Sequence, residues 1–212
     1  MRRWNCWKFW FCVVMLVALS LRVTAVVAVQ HHLDNQLQRQ FLIEGDANGY
    51  WLLGENLATG KAFEIYDPPR RIMRMPGFPW VLSLGMRAFG HDILLIRLSL
   101  ALIGSVACLL VFWLGWELAD SAAAVIAAGL AAISPTLVGM TPLILSETLF
   151  AALLVLSLIP MAKLVNPSNA AATFRRQCLW ALASGLLVGL AVLVRPSWLL
   201  AAPIFAGMYW CF

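Results

Sequence analysis

The chain has 212 residues, 62% of them hydrophobic and 12% charged, with a formal net charge of +5. Soluble domains average about 45–50% apolar and about 25% charged residues, so this composition excludes an ordinary soluble fold and marks an integral membrane protein. The positive balance does not indicate nucleic acid, because the basic residues are scattered at the ends of apolar segments instead of forming one patch.

Arg2, Arg3 and Lys8 precede an apolar stretch over residues 9–29. Its length of about 20 residues matches one bilayer crossing and exceeds the core of a signal peptide, so a retained helix is expected. Arg22 interrupts this stretch and is expected to face protein or water. Residues 30–92 follow as the first polar loop. Within it, Tyr50, Leu53 and Leu57 recur at helical spacing. Residues 76–89 are apolar and helical but only about 14 long, the length of an interfacial or re-entrant segment. Further spans are expected over residues 93–116, 122–141, 143–161 and 178–194, with a last one beginning near Trp198. The expected fold class is therefore all-α, a polytopic transmembrane bundle of about six spans with interfacial helices in the first outer loop. No Gly/Ser linker divides the chain, so residues 1–212 read as one membrane domain.

Positive charge in short loops marks the cytoplasmic side. Arg2, Arg3 and Lys8 place the N-terminus there, and Lys163, Arg175 and Arg176 do the same for the loop over residues 163–177. An even number of crossings must separate them, which holds only if residues 76–89 do not span. The first loop, the turn over residues 142–147 and Arg195-Pro196 then share the outer face. That loop nevertheless carries Arg39, Lys61, Arg70, Arg71, Arg74 and Arg87 against the charge rule. A phosphate-bearing ligand at the membrane surface would account for them.

Asp46 lies in Glu44-Gly45-Asp46-Ala47-Asn48-Gly49-Tyr50, at a helix start. It reads either as a helix cap or as a reactive carboxylate, and the two roles are compatible because a helix N-terminus favours the ionised form. Arg74, before Pro76-Gly77-Phe78-Pro79, reads either as a snorkelling charge or as a phosphate ligand. Glu147 heads an apolar helix, where it either complements the helix dipole or serves function. Arg195 ends a helix on the same face and has a charge suited to the last carbonyls. The five cysteines show no metal-ligand spacing and read as small core residues. His31-His32 and His91-Asp92 lack a third ligand.

In order, the chain carries Gly-Asp-Ala-x-x-Tyr, Leu-x-Gly-Glu-Asn-Leu-Ala-x-Gly, Arg-x-Pro-Gly-Phe-Pro, Ile-Arg-Leu, Leu-Ser-Glu-Thr-Leu-Phe and Leu-Val-Arg-Pro. This series resembles the GT-C membrane glycosyltransferases, in the branch of protein mannosyltransferases and lipid A aminoarabinose transferases. The resemblance implies transfer of a sugar from a polyprenyl-phosphate donor to a lipid, protein or glycan acceptor at the outer face of the membrane. It makes Asp46 the general base or the group that orients the acceptor, and Arg74 the donor-phosphate ligand. Glu147 takes the place of the family's second-loop acid, whose role varies among structure, divalent metal and acceptor contacts. Glu44, Tyr50 and Arg195 are further candidates around it. Relatives often carry two adjacent acids in the first loop, whereas Gly45 separates Glu44 from Asp46 here. The family is also usually more than twice this length, so an N-terminal portion is expected, with a non-catalytic membrane scaffold as the alternative.

Overall fold

A computed structural model describes residues 4–71, 73–169 and 172–211. The chain is helical throughout: α1 (Trp4–His32), α2 (Glu44–Ala58), α3 (Gly77–Phe89), α4 (Ile93–Leu118), α5 (Ser121–Ile133), α6 (Pro135–Met140), α7 (Glu147–Val165), α8 (Phe174–Val194) and α9 (Ala201–Cys211). Among the described residues there is no strand, only an isolated antiparallel bridge between Ile65 and Arg70.

Among the described residues, four segments are long and apolar enough to cross a membrane: Trp7–Leu37, Ile93–Leu118, Glu147–Val165 and Phe174–Val194. Their outward faces carry exposed Leu16, Val27, Leu102, Leu182, Leu186 and Leu190, the surface expected of helices solvated by lipid. Helix α1 packs on α4 and α5, and α7 lies between α4 and α8. The first helix is thus part of the bundle, with Ala18, Arg22 and Val26 all buried in it.

The segment over residues 122–141, expected as one continuous span, is broken. Helix α5 runs for 13 residues and ends before Pro135, which opens the six-residue α6. Proline has no N–H to offer the carbonyl four residues earlier, and its ring crowds that carbonyl. Arg22 donates from Nη2 to Ala131 O at 3.4 Å, and from Nη1 to Ala132 O at 3.4 Å and Ala18 O at 3.1 Å. A guanidinium buried among hydrocarbon therefore closes the end of a helix that proline leaves open. Beyond α6, residues 141–146 form a buried turn, so α7 starts at Glu147 and not near Leu143. The last apolar segment forms the 11-residue α9.

Acidic caps start two of the helices. Asp92 accepts from the amides of Leu94 and Leu95, and Asp120 from those of Ala122 and Ala123, satisfying orphan donors of α4 and α5. Asp92 therefore has a structural role, and no metal role is needed to explain it. Of the described cysteine side chains only Cys108 is buried, whereas Cys12 and Cys178 are exposed. The expectation of core cysteines holds for one of these three, and the side chains of Cys6 and Cys211 lie outside the described residues.

The bundle has two chemically distinct ends. At one, Trp7 meets Trp116 with ring centroids 4.5 Å apart, Lys163 lies over Trp113, and Asn166 and Asn169 donate to Glu117. At the other, α2 and α3 run side by side in the same direction, Tyr50 against Phe78 near their starts and Leu57 against Arg87 near their ends, and α3 packs on α4 and on the end of α8. The pair is close because Gly54 has no side chain: a Cβ there would lie 2.9 Å from Leu82 Cβ. Likewise, a Cβ at Gly115 would meet Ala124 Cα at 2.9 Å where α4 crosses α5. Gly115→Ala is expected to force these helices apart and cost about 1–3 kcal/mol, the usual size of an overpacking penalty. Reversible unfolding in mixed micelles, followed by circular dichroism, measures this.

A candidate active site at one end of the bundle

Asp46 lies in the first turn of α2, three positions into the helix. The N-cap is Ile43 and makes no side-chain cap bond, so Asp46 is not the cap. Its Oδ1 accepts instead from Arg74 Nη2 in a short ion pair. Arg74 lies two residues before Pro76, the N-cap of α3. It also donates from Nη1 to Met73 O at 3.2 Å and lies 5.4 Å from the centre of the Tyr50 ring. Its Nε is buried without a partner. Gly49, on α2, borders this guanidinium, and a Cβ there would make only an ordinary 3.8 Å contact with Arg74 Nε.

Tyr50 joins this pair to the second half of the site. Its ring packs edge-on against Phe78 at 5.0 Å, and its hydroxyl donates to Ser146 Oγ at 3.4 Å. Ser146 is the N-cap of α7, and Glu147 follows it. Glu147 Oε1 accepts from Arg195 Nη1 at 3.0 Å, and Arg195 also lies over the Phe150 ring at 5.8 Å. Arg195 forms the extended C-cap of α8 and bridges to α7, beyond the last-carbonyl role its position suggested. Asp46, Arg74, Tyr50, Ser146, Glu147 and Arg195 thus form one connected polar cluster over α2, α3, α7 and α8. Glu44 differs: it is exposed and pairs with Arg39 at 3.9 Å.

The proline-glycine motif has a packing reason. A Cβ at Gly77 would lie 2.8 Å from Leu193 O, so only glycine lets the start of α3 lie against the end of α8. That approach fixes Arg74, three residues before Gly77, relative to Arg195, two residues after Leu193. Below it, an apolar groove of about 720 Å³ runs between α3, α7 and α8, lined among others by Leu57, Phe63, Trp80, Leu149, Leu153 and Leu190.

Sequence reasoning missed Arg97. It is 1% exposed, four residues into the span that Ile93 opens, and it donates from Nε to Pro142 O at 3.0 Å and from Nη2 to Gln40 O at 2.8 Å. Nη1 bonds Gln30 Oε1, and Gln30 Nε2 in turn donates to Asp34 at 2.9 Å. One guanidinium therefore ties together the end of α1, the strand of chain entering α2 and the turn entering α7. The available signal was a charge inside an apolar helix, the same signal that drew attention to Arg22 and Glu147.

Most of the excess basic residues in residues 30–92 prove to have local partners. Arg39 pairs with Glu44, Arg71 with Glu64 at 3.1 Å, and Arg87 donates to Leu57 O at 2.7 Å, closing the end of α2. Arg74 keeps an unpartnered donor in the polar cluster. Among the described residues, no group of three or more His, Cys, Asp or Glu converges on a metal site. Glu147 faces a cation, Arg195, so the cluster does not fit a divalent metal.

The sequence profile of the dolichyl-phosphate-mannose-protein mannosyltransferase family matches residues 69–211. The chain belongs to this family. It is a membrane protein of glycosyltransferase type, and the matched span includes Arg74, Glu147 and Arg195 but begins after Asp46. No curated protein and no solved structure matches it.

Arg97→Ala is expected to cost about 3 kcal/mol, because it strands the buried carbonyl of Pro142 and removes the donor from the partly buried carbonyl of Gln40. Arg97→Lys recovers part of this, and unfolding midpoints of the two variants measure the difference. The Asp46–Arg74 pair behaves otherwise. With Asp46 61% exposed, breaking it is expected to change stability by less than about 1 kcal/mol. A double-mutant cycle in the same assay separates the pair's coupling from the loss of each side chain.

Proposed function

We propose that the chain carries the reaction centre of a glycosyltransferase that moves a sugar from a polyprenyl-phosphate donor to an acceptor hydroxyl at the outer face of the membrane. The observation that carries this reading is the Asp46–Arg74 pair at the polar end of the bundle, beside an apolar groove that enters the membrane-spanning region. A carboxylate, a guanidinium with a donor to spare and a greasy groove are the three features that transfer from a lipid phosphate requires. Topology supports the outer face: Lys163, Arg175 and Arg176 lie at the opposite end of α7 and α8 from the cluster. In this orientation α1 starts at the cytoplasm, α5 and α6 together make one crossing, α9 begins a further one, and the α2–α3 pair lies in the outer interface.

Asp46 takes the proton of the acceptor hydroxyl as its oxygen bonds to the anomeric carbon. The bond from that carbon to the phosphate oxygen breaks, and the electron pair leaves with the lipid phosphate, whose added charge Arg74 stabilises. The isoprenoid chain occupies the groove between α3, α7 and α8. In the structure Asp46 is paired with Arg74. Donor phosphate competes for the same guanidinium, so binding of the donor frees the base. Glu147 and Arg195 orient the acceptor side through Ser146 and Tyr50.

Asp46→Asn is expected to lower transfer from a polyprenyl-phosphate sugar by at least about 100-fold, a typical loss for a general base. Donor binding should be retained or strengthened, since Arg74 no longer has a competing carboxylate. Arg74→Gln should instead raise the donor KM by about tenfold or more, the size of one charge-assisted bond. Both are measured in membranes with a radiolabelled donor, with membrane insertion checked by protease protection. Wild-type transfer rates in Asp46→Asn would remove Asp46 from the base role.

A further inference from the structure

A cavity of about 250 Å³ lies within the bundle between α1, α4, α5, α6 and α7, below the polar cluster. Two buried atoms in residues that line it lack any hydrogen-bond partner: Arg22 Nε and Glu147 Oε2. Arg22 is 1% exposed, and its other two nitrogens are committed to the carbonyls of α1 and α5. Glu147 gives Oε1 to Arg195, so its two oxygens serve different surroundings. The cavity also receives Thr148, which bonds Met140 O only at 3.5 Å, and its rim at Thr136 and Leu137 is exposed.

The two orphaned groups have opposite requirements. An anion that satisfies the Nε donor is repelled by the Glu147 carboxylate, and a cation that satisfies Glu147 is repelled by Arg22. A neutral molecule that both accepts and donates suits both, and a buried donor or acceptor left unmet costs about 1–3 kcal/mol. Water fits: Arg22, Thr136, Glu147 and Thr148 bring polar groups to an otherwise apolar lining, and the space is far above the roughly 10–15 Å³ of probe volume that one water needs. We propose that this cavity is an internal water-binding site, in which ordered water joins Arg22 Nε to Glu147 Oε2. Glu147 then belongs to two compartments at once, with one oxygen on Arg195 in the polar cluster and the other on a file of water reaching into the membrane-spanning core. Arg22 is a positioning residue for Glu147, acting through that water. Gly104 makes the arrangement sterically feasible, since a Cβ there would lie 2.8 Å from Arg22 Nε and 3.3 Å from Thr148 Cγ2.

Hydroxyl radicals generated from water by X-ray pulses oxidise side chains beside ordered water even when bulk solvent does not reach them. The full chain is irradiated in lipid nanodiscs and oxidation is read by mass spectrometry. Cys108 is 1% exposed and lines the cavity, and Met73 is 37% exposed in the polar loop. Cys108 is expected to be oxidised at a rate within about tenfold of Met73, a rate that requires water in the cavity despite its burial. Arg22→Met and Gly104→Ala are each expected to slow Cys108 oxidation at least fivefold without changing that of Met73. If Arg22→Met does not fold, Gly104→Ala decides, because it keeps the charge and fills the space beside Nε. Absence of Cys108 oxidation in the native chain overturns the proposal, and so does an unchanged rate in whichever variant folds. The readout is independent of sugar transfer, so it stands or falls apart from the transferase reading.

Discussion

A cation buried among helices with no acid beside it must find hydrogen-bond acceptors, and in this protein the acceptors are loose ends of main chain. Arg97 reaches Gln40 O and Pro142 O, and Gln30 relays its third side to Asp34. Those contacts hold the chain entering α2 and the turn entering α7, the two helices whose first turns carry Asp46 and Glu147. Arg22 does the same work at mid-bundle, where it takes up the carbonyls that the α5–α6 break leaves open. Burying a guanidinium costs several kcal/mol unless its donors are met, so each arginine strongly selects a packing that supplies acceptors, with Arg22 Nε the one donor of the two left over.

The polar cluster follows from this framework. Close approach at Gly54 and Gly77 brings α2 to α3 and α3 to α8, so side chains separated widely in sequence converge at one end of the bundle. Charges are then paired across elements, Asp46 with Arg74 and Glu147 with Arg195, and Tyr50 lies between the pairs. Within the cluster, the donor and acceptor left over, Arg74 Nε and Glu147 Oε2, belong to the two pairs themselves. A framework that spends its buried main-chain groups on Arg22 and Arg97 leaves the cluster's own side chains available to ligands.

Much of the helical architecture is legible in composition and periodicity. Long apolar runs must become helices in lipid, where no other open backbone arrangement satisfies its own hydrogen bonds. The segments over residues 9–29, 93–116 and 178–194 accordingly fall in helices close to the expected bounds. Residues 122–141 were harder, because hydropathy does not register the hydrogen bond that Pro135 removes, nor the distant arginine that compensates for it. The start of α7 was misplaced for a similar reason: Thr141 to Ser146 are apolar enough to read as helix, yet Pro142 and the demand of Arg97 for its carbonyl hold them as a turn.

By itself the sequence determined that this is a helical membrane protein, which residues are costly enough in lipid to need a reason, and the ordered motifs that mark its family. Those properties are set by the transfer energies of single residues and by local spacing. Only the tertiary structure decided the partners: that Asp46 meets Arg74, that Glu147 meets Arg195, that Glu44 pairs with Arg39, and that Arg97 binds three segments. Ion pairs and carbonyl contacts depend on distances of a few ångströms between elements far apart in the chain, and one-dimensional patterning holds no record of those distances.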